Sequence, residues 1–157
     1  MKTLSIIGAI SAVMLMACTS EPRVDADFRA IDTAGWAYGD TLNFEPELSD
    51  SITDCRVAVV VRHTSAYIFS NLWLEMRSGA QHGDSTEHVD TLQVVLADTY
   101  GRWLGRGSGI SYVKVDTLPG RYSIVNDRPV RLRHIMRADT VANLEQIGII
   151  FIKDTVR

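Results

Sequence analysis

The sequence predicts an all-β protein, a single-domain antiparallel β-sandwich of the jelly-roll or immunoglobulin-like kind. The first observation is that apolar side chains recur at every second position in several stretches, which is the repeat of a β-strand. The second is that Gly, Pro, Asp and Ser separate these stretches at short intervals, as in sandwiches built from many short strands. The third is that only residues 140–146 suit a helical turn.

Five stretches carry the strand repeat most clearly. In one of them, Val57, Val59 and Val61 share one face. The last stretch is apolar on both faces except at Gly148, which indicates a strand that is central or covered on both sides. The five predicted strands are 55–63, 71–77, 92–97, 130–137 and 147–153, and weaker candidates are 28–33, 40–44, 110–115 and 121–125.

Turn chemistry separates the predicted strands. Residues 98–101 begin with Asp and end with Gly, as a type I turn prefers, and the Leu-Pro-Gly of residues 118–120 suits a type II turn. Residues 105–109, which read Gly-Arg-Gly-Ser-Gly, have the composition of a phosphate-binding loop. Such a loop needs a helix N-terminus after it, and a strand-like run follows here, so a hairpin connection is predicted.

The first residues are predicted to be a lipoprotein signal peptide. Lys2 precedes an apolar run that ends at Met16, and this run is too short to remain as a membrane-spanning helix. Leu, Met, Ala and Cys at 15–18 then match a lipobox. We expect residues 1–17 to be removed and Cys18 to carry covalent lipid such as palmitate, and the alternative is ordinary cleavage that leaves Cys18 an incidental thiol. The predicted division is signal peptide 1–17, lipidated N-terminus and tether 18–27, and β-sandwich domain 28–157.

Length, charge and cysteine content narrow the class of protein. The chain has 157 residues, which suits one domain after the signal peptide is removed. The net charge of −3 lacks the basic footprint of a nucleic-acid-binding protein, so no nucleic-acid partner is expected. With Cys18 lipidated, Cys55 is the one remaining thiol, so no intrachain disulfide can form, and Cys55 is predicted to lie in the core.

The sequence contains no catalytic or metal-binding motif with the required spacing. His82 and His88 lie in a polar segment with acidic residues, but their spacing matches no known ligand set, and a solvated loop is the simpler interpretation. His63 and His134 are predicted to be buried structural residues. No serine elbow and no pair of carboxylates set apart by burial is evident. The chain is therefore predicted to be a non-enzyme without cofactor or metal.

Two groups of side chains are candidate binding surfaces. Trp73 lies opposite the apolar face of its predicted strand, and with Trp103 it could stack on sugar rings or bind a protein partner. The alternative is that these aromatic residues pack the ends of the sandwich. Arg131, Arg133 and Arg137 fall on one predicted strand face, where they could meet acids on a neighbouring strand or an acidic partner.

The chain resembles the gliding-motility lipoprotein GldH family in several segments: 67–73 (YIFSNLW), 96–98 with 101–105 (LAD and GRWLG), and 134–137 (HIMR) followed by 147–149. Cys18 also stands where the family has its lipidated cysteine. The resemblance implies a lipoprotein of the cell envelope that faces the periplasm from the outer or inner membrane. It further implies a part in the gliding machinery that is tied to type IX secretion, without enzymatic activity.

The expected function follows from the residues and the resemblance together. We expect a lipid-anchored, non-catalytic envelope protein that is a structural or assembly component of gliding-motility or type IX secretion-type machinery. Its expected partners are the membrane, through the lipid, and envelope proteins of that complex. The alternative is a carbohydrate-binding surface lipoprotein that binds a glycan through exposed Trp73 and Trp103.

Overall fold

The computed structural model describes residues 23–48, 52–79 and 87–153, and within them it forms strands and turns but no helix. The predicted all-β, single-domain sandwich is confirmed. In chain order the strands are β1 (Arg23–Ala30), β2 (Trp36–Ala37), β3 (Leu42–Phe44), β4 (Ile52–Thr64), β5 (Asn71–Ser78), β6 (His88–Val95), β7 (Arg106–Ser108), β8 (Ser111–Thr117), β9 (Tyr122–Val125), β10 (Val130–His134), β11 (Thr140–Val141) and β12 (Leu144–Lys153).

The strands form two main antiparallel sheets. The larger sheet has the order β1-β12-β4-β8-β7, and β9 pairs with the first part of β4. The smaller sheet has the order β3-β10-β5-β6. A two-stranded ribbon of β2 and β11 lies beside them. The long strands β4 and β12 therefore occupy the middle of the larger sheet, which agrees with the apolar character of 147–153 on both faces.

The core lies between the two sheets. From the larger sheet, Val59 on β4 and Ile149 on β12 stand opposite each other and are fully buried. From the smaller sheet, Leu74 and Leu132 are equally inaccessible. Cys55 also lies in this core, as predicted. Burying each such side chain contributes roughly 1.5 to 3 kcal/mol, so the inner faces set the pairing of the two layers.

Strand β1 begins at Arg23, five residues before the predicted strand 28–33 and inside the segment expected to be tether. Sequence alternation is obscured there because Asp25 and Asp27 share the inner side of the sheet. Their carboxylates accept backbone hydrogen bonds at the margin of the core, Asp25 from Glu47 N at 2.7 Å and Asp27 from Glu45 N at 3.1 Å. On the inner side of β1, aspartates with hydrogen-bond partners therefore occupy positions at which a strand repeat normally has apolar residues.

The predicted helical turn at 140–146 is wrong. That segment contains β11 and the start of β12, joined by Asn143, whose φ is 63°. Asn tolerates this left-handed conformation better than most residues, so it allows a sharp turn of the chain at this position. The sequence pattern of 140–146 alone is also compatible with a helical turn. The carbonyl of Asn143 then accepts the N–H of Thr64 at 2.9 Å, which ties the turn to the end of β4.

Two predicted connections are confirmed. The segment 105–109 includes β7, which pairs with β8 as a hairpin in which Ser108 faces Ser111. A Cβ at Gly107 would lie 2.1 Å from the Ser111 carbonyl oxygen, so this close approach requires glycine. In the 98–101 turn, Gly101 N donates to the Asp98 carbonyl at 3.0 Å.

Two valines of the larger sheet provide a matched test of the layer assignment. Val61 on β4 is fully buried, whereas Val115 on β8 faces outward and is 49% exposed. We expect Val61→Ala to lower the free energy of unfolding by about 2 kcal/mol, because the change leaves a cavity. Val115→Ala should change it by less than about 0.5 kcal/mol. Urea unfolding of both variants measures the difference, and equal losses would contradict the assigned core.

Candidate functional site

The outer face of the smaller sheet carries the arginines that the sequence singled out. On β10, Arg133 makes two hydrogen bonds of 2.9 Å to the carboxylate of Glu75 on β5. Arg77 donates to the same carboxylate at 2.7 Å. These charged hydrogen bonds, first from Arg133 and then from Arg77, lower the pKa of Glu75 to about 2. The charge of Arg133 is therefore met by an acid on the neighbouring strand.

The other two arginines differ from Arg133. Arg131 lies on the same face of β10 and forms an ion pair with Glu87, which stands just before β6. Strand β10 ends at His134, so Arg137 lies beyond it and is exposed rather than part of the row. Glu75, Arg77, Arg131 and Arg133 line a shallow cleft of about 280 Å³ on this face.

The structure does not bring the two candidate tryptophans together. Trp73 lies on the outer face of β5, opposite Gln93 of β6, with 37% of its surface exposed. Trp103 is half-buried in an aromatic cluster, with its ring centroid 4.5 Å from that of His63 and 6.0 Å from that of Tyr112. Among the described residues, no ring contact joins the two indoles. Trp73 is therefore the more exposed stacking surface.

His63 and His134 are both fully buried, as predicted. His63 Nδ1 lies 2.9 Å from the Thr64 carbonyl oxygen, inside the aromatic cluster. His134 lies between the rings of Trp36 and Tyr38, at centroid distances of 5.4 and 5.6 Å. Burial lowers the pKa of His134 because the charged imidazolium would lose its hydration.

Strand β6 is the long outer edge of the smaller sheet. The Ser70 carbonyl accepts the N–H of Leu96 at 2.8 Å, and the Trp73 carbonyl accepts the N–H of Ile135 at 2.9 Å. Because antiparallel bonding alternates along a strand, even-numbered residues of β5 bond to β6 and odd-numbered ones bond to β10. It follows that the backbone groups of four β6 residues point away from the sheet: Val89, Thr91, Gln93 and Val95.

A groove of about 470 Å³ runs beside this edge, between β6 and the connection from β8 to β9. Its apolar lining includes Leu92 from the smaller sheet and Leu118 and Tyr122 from the larger one. At one end, the Tyr122 hydroxyl hydrogen-bonds to Asp90. Burial, and then this carboxylate, raises the pKa of Tyr122 to about 12. The edge and the groove together form a slot shaped for an extended chain.

This slot is not predictable from the sequence pattern alone. The alternation of 92–97 predicts a strand, but position within a sheet depends on pairing between segments far apart in the chain. Edge strands usually carry charged residues or Pro, which discourage pairing with a further strand. Residues 88–95 contain one acid, no Lys and no Pro, and this composition is a partial signal of an edge without that protection.

Within the described ranges, no group of three or more His, Cys, Asp or Glu residues is arranged to hold a metal ion. The loop considered for a metal contains His82 and Asp84, which lie outside the described residues.

Across 23–48, 52–79 and 87–153, no helix has the length and apolar character needed to cross a membrane.

The fold and these surfaces define a class of protein: a single-domain β-sandwich whose edge strand β6 pairs with no other described strand on its outer side, a type of module that can accept an added strand. The family model described as GldH lipoprotein matches residues 23–150, which is most of the chain. The chain belongs to the GldH lipoprotein family, as the resemblance indicated. Membership makes it a gliding-motility-associated lipoprotein, anchored to a membrane of the cell envelope. No curated protein matches the chain.

Protonation of buried His134 should make the fold acid-sensitive. Its pKa is lowered in the folded state, whereas the unfolded chain takes up the proton near pH 6.5. The unfolded state therefore binds more protons below about pH 6.5, and the free energy of unfolding falls as pH falls through this window. We expect His134→Leu to reduce this dependence between about pH 7 and pH 5, as measured by urea unfolding across pH. An unchanged slope would contradict the assignment.

Proposed function

We propose that this GldH-family lipoprotein is a non-catalytic assembly component of an envelope machine of the gliding-motility and type IX secretion kind. Lipid on Cys18 holds it on the periplasmic side of the outer or inner membrane. It acts by accepting an extended segment of a partner protein on the open edge of β6. The observation that carries this proposal is the row of outward-pointing backbone groups on β6 beside the groove.

Backbone hydrogen bonding would provide the affinity of such a contact. Each outward-pointing residue of β6 offers one N–H and one C=O, and an added strand satisfies them as a neighbouring strand of the sheet would. The contact is independent of the partner's side chains at this level. It therefore suits a structural joint in which a flexible segment becomes ordered on binding.

The groove would provide the specificity. Alternate side chains of an added strand point to opposite faces of the sheet. Those on the inner side would enter the groove beside Leu118 and Tyr122, so they should be apolar. Those on the outer side would lie next to Thr91 and Gln93, which are exposed and uncharged, so polar side chains fit there. The predicted partner segment alternates apolar and polar residues over about the length of β6.

The lipid strengthens this contact. Anchoring confines the domain and its membrane-bound partners to one surface, which raises their effective concentration. A contact of modest intrinsic affinity then becomes long-lived. On a freely diffusing protein, an unpaired edge strand can cause aggregation. Confinement to the membrane limits the contacts of this edge to the partners present at that surface.

A pair of substitutions at Thr91 tests the added-strand contact. Proline at this position removes an outward N–H and no bond to β5, and edge strands tolerate proline when the N–H faces away. Thr91→Ala removes the side chain and keeps the N–H. We expect Thr91→Pro to reduce co-purification of envelope partners from native membranes and to impair gliding or type IX secretion. Thr91→Ala should leave both near the wild-type level.

Urea unfolding of the two variants serves as the control, since a loss of folding in Thr91→Pro would mimic a loss of binding. Should that variant unfold, Thr91→Lys replaces it, because a charge on the edge also discourages pairing. Partner recovery and function that are unchanged in a folded Thr91→Pro variant would overturn the proposed contact.

Glycan binding is a second candidate function, and the exposure of Trp73 favours it. Its indole lies on an open face between Asn71 and Glu75 of its own strand, where polar groups could bind sugar hydroxyls while the ring stacks. The half-buried Trp103 packs in the aromatic cluster and adds less to such a surface. We expect this activity, if present, to be lost in Trp73→Ala and retained in Thr91→Pro. Glycan-array binding of the two variants distinguishes the functions.

A further inference from the structure

The outer face of the larger sheet is apolar along its centre. The middle row crosses four neighbouring strands and consists of Phe28 on β1, Gly148 on β12, Val60 on β4 and Val115 on β8. Phe28 is 41% exposed and Val115 is 49% exposed. The adjoining rows add Val24, which is 57% exposed, and the half-buried Ile150 and Ile152. An apolar strip therefore crosses the sheet on the side away from the core, exposed at Phe28 and Val115 and nearly buried at Val60 between them.

Phe28 is positioned on this face by Gly148. A Cβ at Gly148 would lie 2.3 Å from Cδ1 and 2.5 Å from Cε1 of Phe28, so the aromatic ring occupies the space above the glycine. The ring thus lies across β12 rather than projecting from the sheet edge. This packing smooths the strip into a broad, low surface, which suits contact with another flat surface.

The charges on this face have one sign along the rows that join β1 to β8. Arg56 and Arg62 lie on β4, on either side of the apolar positions, and Arg106 lies on β7. The paired positions of these rows include no carboxylate. Among the described residues, the acids nearest to these rows are Glu145, which lies 3.9 Å from Arg62, and Asp54, which lies further along β4 and pairs with Arg121. In a chain of net charge −3, this is an unusual distribution.

The proposed lipid at Cys18 keeps the start of β1, at one edge of this sheet, close to the membrane. Cys18 precedes the first residue of β1 by five positions, which span at most about 17 Å when fully extended. The strand begins at Arg23, opposite Lys153, next to the row that holds Val24, Ile152 and Arg56.

This short link disfavours an orientation in which the smaller sheet lies against the membrane. With the outer face of the larger sheet against the membrane, β1 lies about one side-chain length above it. With the smaller sheet against the membrane instead, β1 would stand about 10 Å higher, because that is the spacing of packed sheets. The link would then be close to its full extension.

We infer that the outer face of the larger sheet docks on the anionic headgroup surface of the membrane to which Cys18 is anchored. The apolar strip around Phe28 and Val115 enters the interfacial region, and the arginines on either side meet lipid phosphates. The inference rests on the proposed lipid at Cys18 and not on the added strand at β6. Docking in this way turns the smaller sheet, with its open edge, towards the partners.

Fluorescent probes at two matched positions test the docking. Val115 and Val89 are the same residue type and are 49% and 47% exposed, but they lie on opposite outer faces of the sandwich. Each is replaced by cysteine in the full lipidated protein and labelled with an environment-sensitive dye. Cys18 is blocked by lipid and Cys55 is buried, so labelling is confined to the new thiol. The proteins are reconstituted in phosphatidylethanolamine vesicles with or without phosphatidylglycerol.

With phosphatidylglycerol present, we expect nitroxide-labelled lipid to quench the dye at 115 and aqueous iodide to lose its access there. The dye at 89 should show the reverse. Without the anionic lipid, the difference between the positions should shrink, by about fivefold in docking equilibrium for each arginine engaged. Co-flotation of the protein with vesicles, which Cys18→Ser should abolish, establishes the anchor independently.

Three results would overturn the docking. The first is equal quenching at 115 and 89 in a protein that floats with the vesicles, which would leave the anchor intact. The second is loss of iodide access at 115 without quenching by nitroxide lipid, which would show that a second copy of the chain covers the face. The third is shielding at 115 that is independent of phosphatidylglycerol, which would contradict the role of the arginines.

Discussion

The antiparallel pairing of β4 with β12 is the constraint on which the other features depend. Its register, with Val59 opposite Ile149, places one set of side chains in the core and the other on the outer face. A shift by one residue would exchange the two sets and expose the core. A second ladder, between β1 and β12, places Phe28 over Gly148 and joins β1 to the centre of the sheet. The core and the outer face of the larger sheet are thus fixed by two ladders that share β12.

Most of the fold could be predicted from the sequence because the core strands alternate cleanly. The runs around Val59, Leu74 and Ile149 were all found as strands, and Cys55 lies in the core as predicted. The errors occur where polar side chains have specific partners. In β1, Asp25 and Asp27 accept backbone hydrogen bonds on the inner side, and their polarity concealed a strand. At Asn143, a left-handed residue ends a segment that suited a helix by pattern alone.

Less of the candidate site could be predicted, because surfaces depend on which strands become neighbours. The alternation of Trp73 with Leu72 and Leu74 indicated an outward side chain, and it is exposed. The ion pair of Arg133 with Glu75 required knowledge that β10 lies beside β5. The open edge of β6 and the groove beside Leu118 are products of topology alone. Local sequence patterns therefore predict which side chains share a strand face. The order in which the strands pair determines which face or edge of a sheet is accessible.

Residue-resolved amide hydrogen exchange of the purified protein shows whether β6 is an open edge that is ready to accept a strand. We expect alternation along β6: the amides of Leu92 and Val94 are protected by bonds to β5, while those of Thr91 and Gln93 exchange rapidly. Ordered binding of a partner strand should then slow exchange at Thr91 and Gln93. Uniform protection along β6 in the purified protein would show that its edge is already covered and is not free to accept a strand.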